Sequence, residues 1–303
     1  MGFGNLGQSW LETRKLEVKC YRNLRYHIHQ AILYFGNRNI KTIHFAELED
    51  FYRSLPARLS AKTKKNYFTT LHSFWTDIVD REEDSGHPLK MPKFPKIKYE
   101  LRRRKTITRD QQLKILAWLK QNAPFKVWLG IKWLSTYISI RPGELVNIKE
   151  GEIDRNQGVL NVKDNKSKSY KIVPLLGEDS DIILAQTVAL PHIYFFRHST
   201  AAHNNQFDYK GRRFGKDYFY TWWRRSCRAI GLSGVDLYGG TRHSTAQYLR
   251  LQGRTPEEIK RATMHSTTEA FNRYFEMELE DLRAIYGTGQ VVKLGKDEGK
   301  VGE

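Results

Sequence analysis

The sequence has little cysteine and no long apolar segment. Its two cysteines, Cys20 and Cys227, stand far apart in a chain of 303 residues. This excludes a disulfide scaffold and a cysteine-built zinc site, and it fits a reducing, cytoplasmic location. No run reaches the roughly 18 apolar residues that a membrane-spanning helix needs. The N-terminus also lacks the apolar core of a secretory signal, so we expect no membrane partner.

Acidic residues are too few to balance the basic ones. The chain has 51 lysines and arginines against 33 aspartates and glutamates, which gives a formal charge of +18. Such an excess is unusual for a metabolic enzyme and indicates a polyanionic partner, with nucleic acid ahead of a membrane surface. The carboxylates are not clustered as metal ligands would be, so we expect neither a metal nor another cofactor.

Chain length predicts two domains, and the first of them, residues 1–90, is predicted to be helical. Apolar residues recur at helical spacing from Lys19 to Phe35, and a second helix is predicted over Glu47 to Leu55. Ser60 can cap a third helix. The first turn of that helix carries three lysines that oppose the helix dipole. We predict that they contact phosphate groups, with a solvated face as the alternative: Lys62, Lys64 and Lys65.

Residues 91–106 are predicted to be a basic linker, because Pro92 and Pro95 block regular structure. The segment carries seven cations against one acid, Glu100. We expect it to stay out of any core and to lie along a nucleic-acid backbone, with a merely soluble linker as the alternative. The cations are Lys93, Lys96, Lys98, Arg102, Arg103, Arg104 and Lys105.

The second domain, residues 107–286, is predicted to mix helices with a small β component, so that the whole chain is mainly α. It opens on a helix-capping sequence, Thr108 to Gln111. The runs Gly158–Lys163 and Tyr170–Leu176 surround a polar turn and predict a β-hairpin. Helices are predicted through Trp118, over Val127–Tyr137 and over Asp217–Ile230, the last with its aromatic residues in a core. Residues 287–303 are rich in glycine and charge and predict a mobile tail.

Two arginines stand where a side chain could face a cleft. Arg141 precedes Pro142, which suits the first position of a helix, so Arg141 lies at a helix junction where Glu144 can orient it. Arg242 follows two glycines and Thr241. We expect Thr241 to cap the helix that runs to Leu251, which places Arg242 beside free backbone N–H groups that attract anions.

The glycines Gly239 and Gly240 would let the backbone approach a phosphate. For Arg141 the alternative is an exposed surface arginine. The turn of the predicted hairpin carries three lysines, Lys163, Lys166 and Lys168. One ammonium there could reach a leaving oxygen, because the pKa of lysine falls when it is desolvated beside other cations. A plain charged turn is the alternative.

A histidine and a tyrosine follow near the end of the second domain. A capping box at Thr255 to Glu258 begins a helix that ends near Met264, and Ser266 begins another helix at once. His265 sits in the joint between them. Tyr274 flanks the apolar stripe of the later helix, so its hydroxyl could face a cleft, although an ordinary boundary tyrosine is the alternative.

Together these segments resemble the tyrosine recombinase, or phage integrase, family. Arg141 in IRPGEL matches the first catalytic arginine, and Arg242 in TRHS matches the second. Lys166 best matches the hairpin lysine. His265 in MHS matches the histidine that precedes the nucleophile, and NRY ends in Tyr274 nine residues later. Residues 9–98 also resemble the helical, SAM-like core-binding domain, so the resemblance covers nearly the whole chain.

The resemblance implies a site-specific recombinase or integrase acting on double-stranded DNA. Tyr274 would attack a phosphodiester, hold the 3′ side as a phosphotyrosine and release a 5′ hydroxyl. Arg141, Arg242 and His265 would bind the phosphate, and Lys166 would protonate the leaving oxygen. The resemblance also implies four protomers on two DNA segments and a chemistry that needs no metal.

One position departs from the family pattern. The family usually has a histidine three residues before the second arginine, where this chain has Gly239. That histidine would help to accept the tyrosine proton or to bind the phosphate. Two alternatives therefore stay open, a catalytically weakened DNA-binding relative and a type IB topoisomerase that relaxes DNA by the same chemistry.

Overall fold

The structure is a computed structural model that divides the chain into two compact units, Met1–Arg102 and Arg103–Glu303. Each unit has its own hydrophobic core. Within the described residues, no helix combines the length and the apolar character that crossing a membrane requires. The structure describes residues 1–17, 21–84, 86, 88–100, 104–164, 170–199, 211–215 and 217–264.

The first unit contains four described α-helices around an aromatic core. Their bounds are α1 Phe3–Glu17, α2 Tyr21–Phe35, α3 Phe45–Ser54 and α4 Ala61–Asp84. The predicted cap of α4 is confirmed, because the Ser60 hydroxyl accepts a hydrogen bond from the Thr63 amide at 3.2 Å. In the core, the Phe74 ring makes edge contacts with Phe3 and Trp10. Such buried aromatic pairs supply much of the area that stabilises a small helical unit.

The expectation that the linker stays out of any core is wrong for the part before residue 98. The side chains of Met91, Phe94 and Ile97 pack against the core of the first unit. Their spacing of three residues matches the repeat of a polyproline II helix, which proline favours, so all three share one face. The lysines Lys93 and Lys96 between them are exposed. The segment therefore buries an apolar face and presents a basic one.

Removing the anchor of this segment should destabilise the first unit. The Phe94 ring lies 5.8 Å from Trp75 and 5.2 Å from His72 between ring centroids. Phe94→Ala should lower the local unfolding free energy of α4 by about 2 kcal/mol, because truncation leaves a partly buried cavity. Amide hydrogen exchange across α4 measures this change. Lys96→Ala is the matched control, and equal effects of the two variants would show that Phe94 does not anchor the segment.

The second unit packs helices around a small sheet. Its strands β1 Ile153–Asp154, β2 Val159–Lys163 and β3 Tyr170–Pro174 form an antiparallel sheet in that order. The predicted hairpin is thereby confirmed, with Val162 opposite Lys171. The helices are α5 Arg109–Asn122, α6 Phe125–Thr136, α7 Pro142–Leu145, α8 Gly177–Leu184, α9 Tyr218–Ala229, α10 Ser244–Leu251 and α11 Pro256–Thr263.

Local sequence signals explain where several of these helices begin. The predicted capping boxes at Thr108 and Thr255 are confirmed at the starts of α5 and α11. Helix α6 is apolar almost all round and is buried, which places it at the centre of the unit. On α9, Phe219 and Trp223 are fully buried, so the predicted core role of its aromatic residues is confirmed for these two. The observed fold is mainly α with a small β component, as predicted.

Candidate active site

Arg141 is held by a carboxylate at the start of α7. It occupies the N-cap position, with Pro142 as the first helical residue. The Glu144 carboxylate accepts hydrogen bonds from the Arg141 backbone N–H at 3.0 Å and from its guanidinium at 2.8 Å. The predicted role of Glu144 in orienting Arg141 is therefore confirmed. Burial lowers the pKa of Arg141, but the hydrogen bond and the charge of Glu144 outweigh it, so the pKa is raised.

A buried lysine, Lys171, reaches the same carboxylate from β3. Its ammonium lies 3.0 and 2.9 Å from the two oxygens of Glu144, and Lys171 is only 8% exposed. It also lies 3.4 Å from the Ser139 carbonyl oxygen and 3.7 Å from the Asp164 carboxylate. Because a buried cation must be paired, Lys171 and Glu144 hold each other in place.

Lys171 is absent from the predicted site residues, which on this hairpin include only the lysines of the turn. A signal was present in the alternation of β3. Tyr170 and Ile172 are exposed, whereas Lys171 and Val173 are buried. Successive side chains of a strand point to opposite faces, so Lys171 shares the inward face with Val173. A lysine at an inward position predicts a buried carboxylate partner.

Arg242 is buried beside the same segment. Its guanidinium donates to the Ser139 carbonyl oxygen at 3.4 Å and to the Thr263 carbonyl oxygen at 2.8 Å. Arg242 is 2% exposed. The Ser139 carbonyl oxygen thus accepts hydrogen bonds from both Arg242 and Lys171. The Glu144 carboxylate accepts hydrogen bonds from both Lys171 and Arg141. The structure therefore brings the two predicted arginines into one connected group.

The expected cap of the Arg242 helix is wrong. The helix begins at Leu237, and the Asp236 carboxylate accepts the Gly239 N–H at 2.6 Å. The Thr241 hydroxyl instead donates to the Leu237 carbonyl at 2.5 Å. Residues Gly239–His243 form a π-helical segment that continues into α10. The helix therefore starts five residues before Arg242, so Arg242 lies in its second turn and not in the first.

The expectation that Gly239 and Gly240 admit a phosphate is also wrong. A Cβ atom on Gly240 would collide with the Trp223 ring of α9. A Cβ atom on Gly239 would collide with the backbone carbonyl oxygen of Lys105. The glycines are therefore needed for close packing within the protein, where the backbone of another element occupies the space of a side chain.

Residues 104–107 lie across the start of this helix. The Arg104 guanidinium pairs with Asp236 and lies 5.2 Å from the ring centroid of Tyr238. The Lys105 ammonium donates to the Ser233 carbonyl at 3.0 Å. Arg104 and Lys105 therefore bind the protein itself, and their predicted contact with DNA stays a prediction.

His243 is the neighbour of Arg242 in the π-helical segment. Burial, followed by the positive charges of Arg104 and Arg242, lowers the pKa of His243 to about 4. The imidazole is therefore neutral near pH 7 and adds no charge beside Arg242. Positive charge at this end of the site comes from arginine, which stays protonated in proteins.

The lysines predicted to bind DNA on α4 surround two tyrosines of the first unit. Lys62 donates to the Tyr99 hydroxyl at 2.8 Å, and the Lys65 ammonium lies 5.1 Å from the centroid of the same ring. Lys64 lies 4.8 Å from the centroid of the Tyr52 ring. Lys62 and Lys65 are exposed. Contact of the three lysines with DNA stays a prediction.

Several predicted residues lie outside the described part of the chain. These are Lys166, His265 and Tyr274 of the catalytic set, Arg102 and Arg103 of the linker, and the tail 287–303. Their roles stay predictions. Among the residues that the structure describes, no group of three or more histidine, cysteine or acidic side chains could hold a metal ion.

A side chain at position 239 should destabilise the second unit. Gly239→Ala should cost about 1–3 kcal/mol of unfolding free energy, because its Cβ atom meets rigid backbone rather than a movable side chain. Gly239→His introduces the histidine that the tyrosine recombinase family usually has at this position. It should cost more unfolding free energy than Gly239→Ala and should not raise any DNA-cleaving activity. Thermal unfolding measures both variants. Gly177→Ala is the control, because open space surrounds Gly177. Higher activity of the histidine variant would contradict this prediction.

Solved structures resemble this chain along most of its length. A λ integrase dimer bound to a COC′ core site matches with a TM-score of 0.68 and 15% identity, over 91% of this chain and 96% of that one. The Tn1549 transposon integrase with a circular intermediate DNA matches with a TM-score of 0.68 and 14% identity, over 95% and 99%. A λ integrase tetramer bound to a Holliday junction matches with a TM-score of 0.63 and 15% identity, over 90% and 77%.

These similarities define the fold class. The chain has the tyrosine recombinase fold, and its mixed helical and β part matches the catalytic domain of those proteins. No protein-family model matches the sequence, and no curated protein matches it. At 14–15% identity the structural likeness establishes the fold, so the chemistry must be argued from the residues of the site.

Proposed function

We propose that this protein is a site-specific recombinase that cuts and rejoins DNA strands through a 3′-phosphotyrosyl intermediate. The observation that carries the proposal is the connected group formed by Arg141, Glu144, Lys171 and Arg242. Arg141 and Lys171 contact the buried Glu144 carboxylate within hydrogen-bonding distance, and Arg242 and Lys171 both donate to the Ser139 carbonyl oxygen. The Asp164 carboxylate, 3.7 Å from the Lys171 ammonium, adds a second negative charge at a greater distance. An excess of positive charge around partly buried arginines suits a phosphate, which is itself an anion.

The chemistry of the proposed reaction follows from the residue types. Arg141 and Arg242 would neutralise the nonbridging oxygens of the scissile phosphate and the charge that develops on them. The Tyr274 hydroxyl would give its proton to solvent and attack phosphorus, the bond from phosphorus to the 5′ oxygen would break, and Lys166 would give a proton to that departing oxygen. Because the 3′ phosphotyrosine keeps the energy of the phosphodiester, a 5′ hydroxyl can attack it and rejoin the strands.

The chain positions of the remaining residues support their roles. In the sequence Lys166 lies between β2 and β3, and β3 carries Lys171, which binds Glu144 beside Arg141. His265 comes two positions after Thr263, whose carbonyl accepts a hydrogen bond from the Arg242 guanidinium. Described residues close in sequence to Lys166 and to His265 therefore contact the groups that hold the two arginines.

Double-stranded DNA is the proposed partner. The lysines of α4, the exposed basic face of residues 93–98 and the net charge all favour phosphate contacts. Both integrases compared above are solved on DNA, and the λ integrase tetramer is bound to a Holliday junction. We extend the proposal to four protomers that act on two DNA segments.

A second candidate is a catalytically weakened DNA-binding relative. Its support is position 239, where Gly239 replaces the usual histidine and the Lys105 backbone fills the space. A relative that only relaxes DNA, as a type IB topoisomerase does, would use the same residues. Strand joining between two duplexes separates the recombinase from both alternatives, because neither of them joins separate duplexes.

Loss of one hydroxyl should abolish cleavage. Tyr274→Phe should keep folding and DNA binding but form no covalent adduct, because a phenyl ring has no nucleophile. The measurement is the amount of protein–DNA adduct that survives denaturant. The substrates are random-sequence duplexes with a nick, so that the released strand diffuses away after cleavage and the adduct accumulates. Tyr286→Phe is the matched control and should still form the adduct. An adduct with the Tyr274 variant, lost in the Tyr286 variant, would move the nucleophile to Tyr286.

Loss of either arginine should slow cleavage far more than it weakens binding. Arg141→Ala and Arg242→Ala should each cost on the order of 10²–10³ in single-turnover rate, as loss of an oxyanion donor does. The rate is measured at saturating DNA with the captured sequence. Arg254→Ala is the control, because Arg254 pairs with Glu258 on the surface. A full rate for either site variant would remove that arginine from the proposed mechanism.

A further inference from the structure

Lys171 occupies a strand position that favours an apolar side chain. It faces inward beside Val173 and pairs across the sheet with Val162, so its strand neighbours are apolar. Taking an ammonium out of water costs free energy that a buried ion pair often fails to recover. Replacement of such a pair by apolar residues is often neutral or stabilising. A role in the site is therefore a better explanation of Lys171 than stability.

The geometry around Glu144 indicates that role. One carboxylate oxygen accepts the Arg141 guanidinium and the Lys171 ammonium, at 2.8 and 3.0 Å. The other accepts the Arg141 backbone N–H and the same ammonium, at 3.0 and 2.9 Å. Lys171 thus bridges both oxygens and prevents the carboxylate from rotating. Through Glu144, it restrains both the backbone and the side chain of Arg141.

Charge balance leads to the same conclusion. Glu144 is 3% exposed and carries one negative charge. With Arg141 as its only cation, that charge would cancel the charge of the guanidinium and weaken its attraction for a phosphate. The ammonium of Lys171 balances Glu144, so the charge of Arg141 stays available to an anion.

We infer that Lys171 is a positioning residue that holds Arg141 through Glu144, and this inference rests on the proposed function. Lys171 also donates to the Ser139 carbonyl, which receives Arg242 as well. It therefore connects the segments that carry the two arginines. The hydrogens of its ammonium are directed at protein oxygens, so a proton-donating role belongs to another group.

The test uses the DNA captured by the full-length protein and compares three variants. Lys171→Met removes the charge at similar length, Lys171→Arg keeps it, and Lys114→Met is the control, because Lys114 is an exposed lysine of α5. Lys171→Met should slow single-turnover adduct formation on the order of 10²-fold, as misplacement of a catalytic group does. DNA affinity should change little, whereas the melting temperature should fall, because removing one partner of a buried ion pair leaves the other charge less compensated. Lys171→Arg should recover part of the rate, and Lys114→Met should match wild type.

Two modified substrates show how Lys171 acts. On a methylphosphonate, which lacks one charged nonbridging oxygen, the deficits of Lys171→Met and Arg141→Ala should shrink in parallel. On a substrate with sulfur as the 5′ bridging atom, the leaving group needs no proton, and the Lys171→Met deficit should persist. In an Arg141→Ala background, Lys171→Met should add little, because the group that it positions is already gone.

Each contrary result identifies a different error. Rescue of Lys171→Met by the bridging sulfur would make Lys171 the general acid. An equal deficit on phosphate and methylphosphonate would show that it does not act through the arginines, and a full rate would give it no role. If Lys171→Met fails to fold, Lys171→Arg becomes the test variant. A Lys171→Arg protein that folds but cleaves slowly on both phosphate and methylphosphonate DNA would overturn the inference.

If wild type forms no adduct, the proposed function fails and the inference fails with it. An active wild type with an unaffected Lys171→Met variant overturns the inference alone.

Discussion

The candidate site depends on a single buried carboxylate. Glu144 lies one helical turn after Arg141. Its carboxylate accepts hydrogen bonds from the backbone N–H and the guanidinium of Arg141 and from the ammonium of Lys171 on the hairpin. A buried carboxylate needs partners, and Arg141 and Lys171 supply both the opposite charge and the hydrogen bonds. Because the three groups come from α7 and β3, the same pairings attach the sheet to the helix junction that carries Arg141.

The second arginine is positioned by close packing of its helix and by hydrogen bonds to backbone carbonyl oxygens. Two glycines near the start of its helix, Gly239 and Gly240, let the Lys105 backbone and Trp223 approach closely. A π-helical turn leaves carbonyl groups that need other donors, and the buried side chain of Gln112 donates to the Gly240 carbonyl at 2.9 Å. The departure from the family pattern at position 239 is therefore part of how this helix packs. The carbonyl oxygens of Ser139 and Thr263 then hold the Arg242 guanidinium.

Local sequence patterns predicted most, but not all, of the elements in the two units. Most helices of both units, the hairpin and two capping boxes followed from apolar spacing and from capping residues. Helix α1 was not predicted, because Gly4 and Gly7 are poor helix formers, yet Phe3 and Trp10 bury the helix in the core. The basic linker was misjudged for a similar reason. Its charge can be read from the sequence. The apolar face formed by Met91, Phe94 and Ile97 is recognisable only once the core against which these residues pack is known.

The residue types of the candidate site and their order can be predicted from the sequence alone. Arg141 stands before Pro142 and Arg242 follows Thr241, so both were predicted from their neighbours, although the cap expected at Thr241 is wrong. Three features depend on the tertiary fold: both arginines meet at the Ser139 segment, Lys171 joins the group, and Asp236 rather than Thr241 caps the helix. These outcomes depend on contacts between residues far apart in the chain, such as the 103 positions between Ser139 and Arg242. A local pattern carries no information about which distant backbone or ring will fill the space beside a glycine or a lysine.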